Sequence, residues 1–149
     1  MTPKQRTDSE PLGILVDRVR RALMVRLQNK FLKAGYDITG EQWMLLHLLR
    51  KKDGQSQQQL VNTLGKSKSS VVPMLDRLEK KNIVVRIPDK TDGRQKLIYL
   101  TKKGRALEEE LEPLNQENLN RSQKNIPPEG LKKCREVLEQ MCQNLKHLS

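Results

Sequence analysis

Ser56 to Lys80 reads SQQQLVNTLGKSKSSVVPMLDRLEK, two short helical patterns separated by one glycine. Ser56 is an N-cap candidate, because its hydroxyl can accept from the free backbone N–H groups of Gln58 and Gln59. Leu60, Val61 and Leu64 then share one face, and Gly65 is the residue type that ends a helix in the left-handed region. Lys66 and Ser67 complete the turn, with Ser67 as the next N-cap. Val71, Met74, Leu75 and Leu78 mark the buried side of a second helix that ends near Asn82. Two short helices about a glycine turn form a helix-turn-helix, in which the first braces the second and the second presents its outer face to a major groove.

The same periodicity leaves Lys68, Ser69, Ser70, Val72, Pro73, Asp76 and Arg77 facing outward. Serine hydroxyls can bond a base edge or a phosphate, and Val72 and Pro73 can touch a thymine methyl. Lys66, Lys68 and Arg77 are placed for phosphates. Taken alone, this stretch could equally be a helical hairpin with a solvated charged face. The segment C-terminal to it shifts that balance. Ile83 to Ile87 and Leu97 to Leu100 are short β-patterns flanking the turn-rich Pro88–Gly93, which predicts a two-stranded hairpin with a long basic tip. Lys90, Arg94 and Lys96 project from it, and a ribbon beside a helix-turn-helix can reach the adjacent minor groove, whose negative potential favours arginine.

On the N-terminal side, Leu12, Leu15, Val16, Val19, Leu23, Leu27 and Phe31 have the spacing of a long first helix ended by Gly35. Thr39, with Glu41 and Gln42, opens a second helix carrying Trp43, Leu46 and Leu49 inward, and Asp53-Gly54 forces a turn. After the hairpin, Thr101 caps a fifth helix with Leu107, Leu111 and Leu114 on one face and a bend expected at Pro113. A sixth helix follows Ile126-Pro127-Pro128, and its apolar residues Leu131, Cys134, Leu138, Met141, Leu145 and Leu148 alternate steps of three and four like a coiled-coil seam. The expectation is therefore a mainly α chain with a small β-hairpin wing, six helices, in a single domain over residues 1–149.

Composition agrees with a DNA partner. The net charge of +11 is concentrated between Arg50 and Arg105, where 15 basic residues face 5 acidic ones. So local a field draws polyanions. A membrane would need an apolar span of roughly 20 residues, far longer than Trp43 to Leu46. Met1 to Glu10 is polar and lacks the apolar core of a secretory signal, so the expected location is the cytoplasm, with Cys134 and Cys142 reduced.

The stretch from Ser56 through Gly104 resembles the MarR family of winged helix-turn-helix regulators. The matching elements are Ser56-Gln-Gln-Gln-Leu60, Leu64-Gly65, Lys68-Ser69-Ser70-Val71, Leu75-Asp76-Arg77-Leu78-Glu79-Lys80-Lys81, Asp92-Gly93-Arg94 and Leu100-Thr101-Lys102-Lys103-Gly104. The resemblance implies a homodimer that joins residues 10–34 and 102–148 of two chains and holds two winged lobes, residues 39–101, over half-sites of a pseudo-palindrome. Leu12, Leu15, Val19, Leu131, Leu138, Met141 and Leu145 are the expected interface. It also implies an Asp-x-Arg wing, here Asp92 and Arg94, in which the arginine enters the minor groove and the aspartate steadies it. Two departures stand out: Gly93 where a second arginine is usual, and Pro73 where a polar or basic residue is usual. Proline there removes an N–H that would bond back to Ser69 and is expected to disturb the helix.

Many members of this family respond to small aromatic or lipophilic ligands, and others to oxidants through cysteine; the resemblance places the ligand cleft at Tyr36, Trp43, Met44 and His47. At helical spacing these four read as core before they read as a pocket. Cys134 and Cys142 are too far apart along one helix, about 12 Å, to bond within a chain, and Cys134 reads as a small buried hydrophobe. His47 and His147 are distant in sequence, and no nucleophile elbow, phosphate loop or ligand cluster is legible, so no enzyme activity, cofactor or metal is expected. Glu108, Glu109, Glu110 and Glu112 read as a solvated helix face. The sequence thus points to a dimeric, sequence-specific repressor. The alternatives are a non-specific architectural DNA-binding protein and a protein-interaction module built on the terminal helices.

Overall fold

The computed structural model describes residues 10–146. Met1 to Ser9, and His147, Leu148 and Ser149, lie outside the described residues. Among the described residues, six helices and a small antiparallel sheet follow one another as α1 (Leu12–Lys33), α2 (Gly40–Lys51), β1 (Gln55–Ser56), α3 (Gln57–Leu64), α4 (Lys68–Lys80), β2 (Val84–Pro88), β3 (Lys96–Leu100), α5 (Lys102–Ser122) and α6 (Pro128–Leu145).

Local chemistry sets most of these boundaries. Thr39 and Ser56 each form a reciprocal capping box with the glutamine three residues on, Gln42 and Gln59, satisfying two otherwise orphaned N–H groups per helix. Gly65 closes α3 at φ 64°, and Gly35 follows α1 at φ 90°, both in the left-handed region that a side chain disfavours. Thr101 caps α5 by accepting from the Gly104 N–H. Pro128 sits at the first turn of α6, where its missing N–H costs nothing. α5 runs unbroken through Pro113.

The hairpin is wider than the expected two strands. β1 joins it, giving the order β1-β3-β2, with Gln55 opposite Ile98 and Ser56 opposite Leu97. A two-residue strand carries no period-2 signature, so it is invisible to pattern reading. Gln55 is held instead by its side-chain amide, which donates to the carbonyls of Leu48 (3.0 Å) and Lys52 (2.7 Å). The strand borders also move by one residue, because Asn82 takes φ 59° and turns Ile83 into the core ahead of β2.

The core lies where the two helical layers meet the sheet. Leu27 and Phe31 of α1, Trp43, Leu45, Leu46 and Leu49 of α2, Leu60 of α3, Val71, Leu75 and Leu78 of α4, Ile83, Val84, Ile98 and Leu111 are all buried in one cluster. Buried Asn118 of α5 donates to the Leu23 carbonyl of α1 at 3.1 Å and ties the two long helices together. In contrast, no residue of α6 is buried. The expectation that Cys134 is buried fails for the chain by itself, because α6 has nothing of its own chain to pack its stripe against; both cysteines are exposed. No helix of the described residues is long and apolar enough to cross a membrane.

Candidate nucleic-acid interface

α3 and α4 meet at the Gly65 turn, with Val71, Met74, Leu75 and Leu78 turned into the core. The opposite face of α4 carries Lys68, Ser69, Ser70, Pro73, Asp76 and Arg77, all exposed, with Val72 half-buried at its margin. Ser67 stands at the N-cap but does not cap: its hydroxyl bonds the Ser69 and Ser70 hydroxyls, at 2.9 and 3.0 Å. The three hydroxyls form their own cluster, and the first-turn backbone donors of α4 keep no side-chain acceptor. A helix start of this kind favours an anion such as a phosphate.

Pro73 does not break the helix, which continues from Lys68 to Lys80. Its ring faces outward. What steadies this segment is Arg86 of β2, whose guanidinium reaches back across to α4, meeting Asp76 at 2.7 Å and the Val72 carbonyl at 3.4 Å. The side chain is only 16% exposed. Arg86 thus fixes the wing to α4, a role that counting it as one more positive charge misses. Alternation along β2 was the available signal, since Arg86 has the same parity as buried Val84.

At the tip, the Asp92 carboxylate accepts from the Arg94 backbone N–H at 3.1 Å, and Asp89 accepts from the Thr91 N–H at 3.1 Å. Asp92 therefore shapes the turn that presents Arg94. A Cβ at Gly93 would meet nothing within 4 Å, and Gly93 is not among the positive-φ residues, so its glycine is no demand of the backbone. Arg94, Lys96 and Gln95 share a concavity of about 380 Å³ with Lys68 and with Ser56, Gln57 and Gln58 at the start of α3. Lys68, Arg94 and Lys96 are thus brought together. Lys66 is not; its ammonium pairs with Glu41 at 3.3 Å. Arg77 stands apart in the last turn of α4.

The expected cleft residues sit behind this surface. Trp43 is core, with its ring stacked on His47 at 5.0 Å between centroids, and Met44 and Tyr36 pack against the core. The Tyr36 hydroxyl donates to Glu110 at 2.9 Å. That hydrogen bond, with burial and the carboxylate's charge, holds the phenol above its ordinary pKa. The acidic face of α5 is not uniformly solvated as expected. Glu108 is 4% exposed and lies 3.4 Å from both His47 and Arg50, because α2 packs directly over it.

The expected interface residues of α1 and α6 lie on the outside of the chain. Leu12 and Val19 are more than half exposed, Leu138 and Leu145 are exposed, and Leu15, Leu131 and Met141 are half-buried.

A sequence model of the MarR family matches residues 38–96, from α2 through the helix-turn-helix and the wing tip to the first residue of β3. The HTH-type transcriptional regulator FarR of Neisseria gonorrhoeae is 32% identical over 100 residues, 67% of this chain and 67% of FarR. The chain belongs to the MarR family. It is a DNA-binding, helix-turn-helix transcriptional regulator. Among solved structures of the family, the apo wild-type MarR of Escherichia coli superposes with a TM-score of 0.72 at 27% identity, covering 89% of this chain and 96% of that one. CouR from Rhodococcus jostii RHA1, solved bound to p-coumaroyl-CoA, gives a TM-score of 0.76 at 25% identity over 89% and 92% of the two chains.

Proposed function

We propose that this MarR-family chain works in the cytoplasm as a homodimeric repressor that reads a pseudo-palindromic operator and blocks polymerase. The observation that carries the reading is the concavity in which Lys68, at the start of α4, faces Arg94 and Lys96 of the wing. A groove-entering helix and a minor-groove arginine on one surface read two features of the same half-site, whereas unspecific attraction needs only charge. Ser69, Ser70, Val72 and Pro73 contact base edges, while Lys68, Lys96 and Arg77 hold phosphates. Lys66 contributes only if its pairing with Glu41 opens. The exposed apolar faces of α1 and α6 are the dimer interface. The aromatic coumaroyl group of CouR's bound thioester supports an aromatic effector here also, which we place beside Tyr36, Trp43, Met44 and His47.

Competition binding at physiological salt tests this, using a duplex that the protein itself selects. Specific DNA should outcompete random duplex by about 10³-fold or more. Arg94→Ala should cost about 1–2 kcal/mol per half-site, roughly tenfold, and most of all where the flank is A·T-rich. Equal affinity for every duplex would make the protein an architectural binder. Unchanged affinity in Arg94→Ala would remove the wing from the interface.

A further inference from the structure

Behind the DNA-binding surface, α2 and α5 bring three chemically matched side chains together. A ring nitrogen of His47 and one carboxylate oxygen each of Glu108 and Glu112 lie within 4.8 Å of one another. Glu108 and Glu112 are one helical turn apart, so both project from the same side of α5 toward His47 on α2. One Glu112 oxygen is buried without any hydrogen-bond partner. Glu108 is itself buried and meets His47 and Arg50 only at 3.4 Å each, while Arg50 makes its shorter 2.6 Å contact with Glu109. An orphaned buried carboxylate oxygen costs its full desolvation unless a donor or cation meets it, and a second carboxylate beside it adds repulsion.

We propose that His47, Glu108 and Glu112 form a site for a first-row transition-metal dication, with zinc the best match. One imidazole and two carboxylates are a borderline donor set that suits zinc, whereas calcium and magnesium take oxygen alone. Two carboxylates also neutralise a dication. Tetrahedral bonds of 2.0–2.2 Å put ligand atoms about 3.4 Å apart, as His47 Nδ1 and Glu108 Oε1 already are at 3.4 Å, so only modest side-chain closure is needed. The fourth position goes to water. Supporting contacts are present: Trp43 stacks on the His47 ring and Arg50 orients the second oxygen of Glu108 at 3.4 Å. The ion clasps α2 of the DNA-binding lobe to α5.

The full-length protein, freed of metal by a chelator, is titrated with Zn²⁺ against a chromophoric competitor, without DNA, so that the result stands apart from operator recognition. One ion should bind per chain. His47→Ala and Glu112→Gln should each weaken binding about 100-fold or more, beyond the ~10–100-fold that loss of an outer partner costs. The Cys134→Ser/Cys142→Ser variant should bind as wild type. Co²⁺ should give a tetrahedral visible band that His47→Ala lacks, and circular dichroism checks that each variant is folded. Failure to bind a stoichiometric ion overturns the proposal. So does unchanged affinity in folded His47→Ala and Glu112→Gln, or loss of the ion in the cysteine variant, which would put it on the α6 thiols.

Discussion

Leu138→Asp is expected to convert the proposed dimer into a folded monomer of 17.3 kDa and to lower affinity for a palindromic operator at least 100-fold. Leu138 is 39% exposed in the single chain and contributes nothing to the lobe core, so the core should survive the substitution. With Leu131, Met141 and Leu145, Leu138 makes an apolar stripe along α6 that water covers only if no partner does. A carboxylate set in that seam must be desolvated without a partner, which costs several kcal/mol and counts twice in a symmetric interface. Loss of the second lobe then removes the gain in effective concentration that links two half-sites. Sedimentation and operator titration check both results. A variant that stays dimeric with unchanged operator affinity would show that α6 is not the interface.

Gly104→Ala should destabilise the fold by about 3 kcal/mol, although alanine is the better helix former by about 1 kcal/mol. Gly104 is buried in the first turn of α5, and a Cβ there would run into the Ile83 carbonyl oxygen and meet Leu100 at 3.2 Å. That carbonyl cannot withdraw. It accepts from the Thr101 N–H at 3.0 Å, while the Thr101 hydroxyl bonds the neighbouring Asn82 carbonyl at 2.6 Å and caps α5 through Gly104 itself. The Leu-Thr-Lys-Lys-Gly run is therefore a close crossing of backbones that docks the wing's base on the long helix. Gly93→Ala, with nothing within 4 Å of its Cβ, should be near neutral. Urea unfolding of the two variants side by side checks the contrast, and equal midpoints would refute the crossing.

How much of the fold and site was legible in the sequence differs by the physics involved. Short-range chemistry was plain: the caps at Thr39, Ser56 and Thr101, the Gly65 turn and the apolar faces of α3 and α4 depend on residues within one or two turns of each other. Features that depend on distant segments were not. Arg86 looks like a surface charge until α4 is seen to face it, and Glu108 looks solvated until α2 covers it. β1 exists only because β3 pairs with it. Ser67 fits a cap by position, but its hydroxyl bonds the two serines beside it instead. The stripe around Cys134 demands a buried place for it, and within a single chain that demand is unmet.

Selection of bound sequences from random duplex DNA separates a dimeric operator reader from every alternative in one experiment. A homodimer with one winged lobe per half-site should enrich two inverted half-sites with centres about 10–10.5 base pairs apart, flanked by A·T-rich steps where Arg94 enters the minor groove. Enrichment of a single unpaired half-site, or of no motif at all, would contradict it.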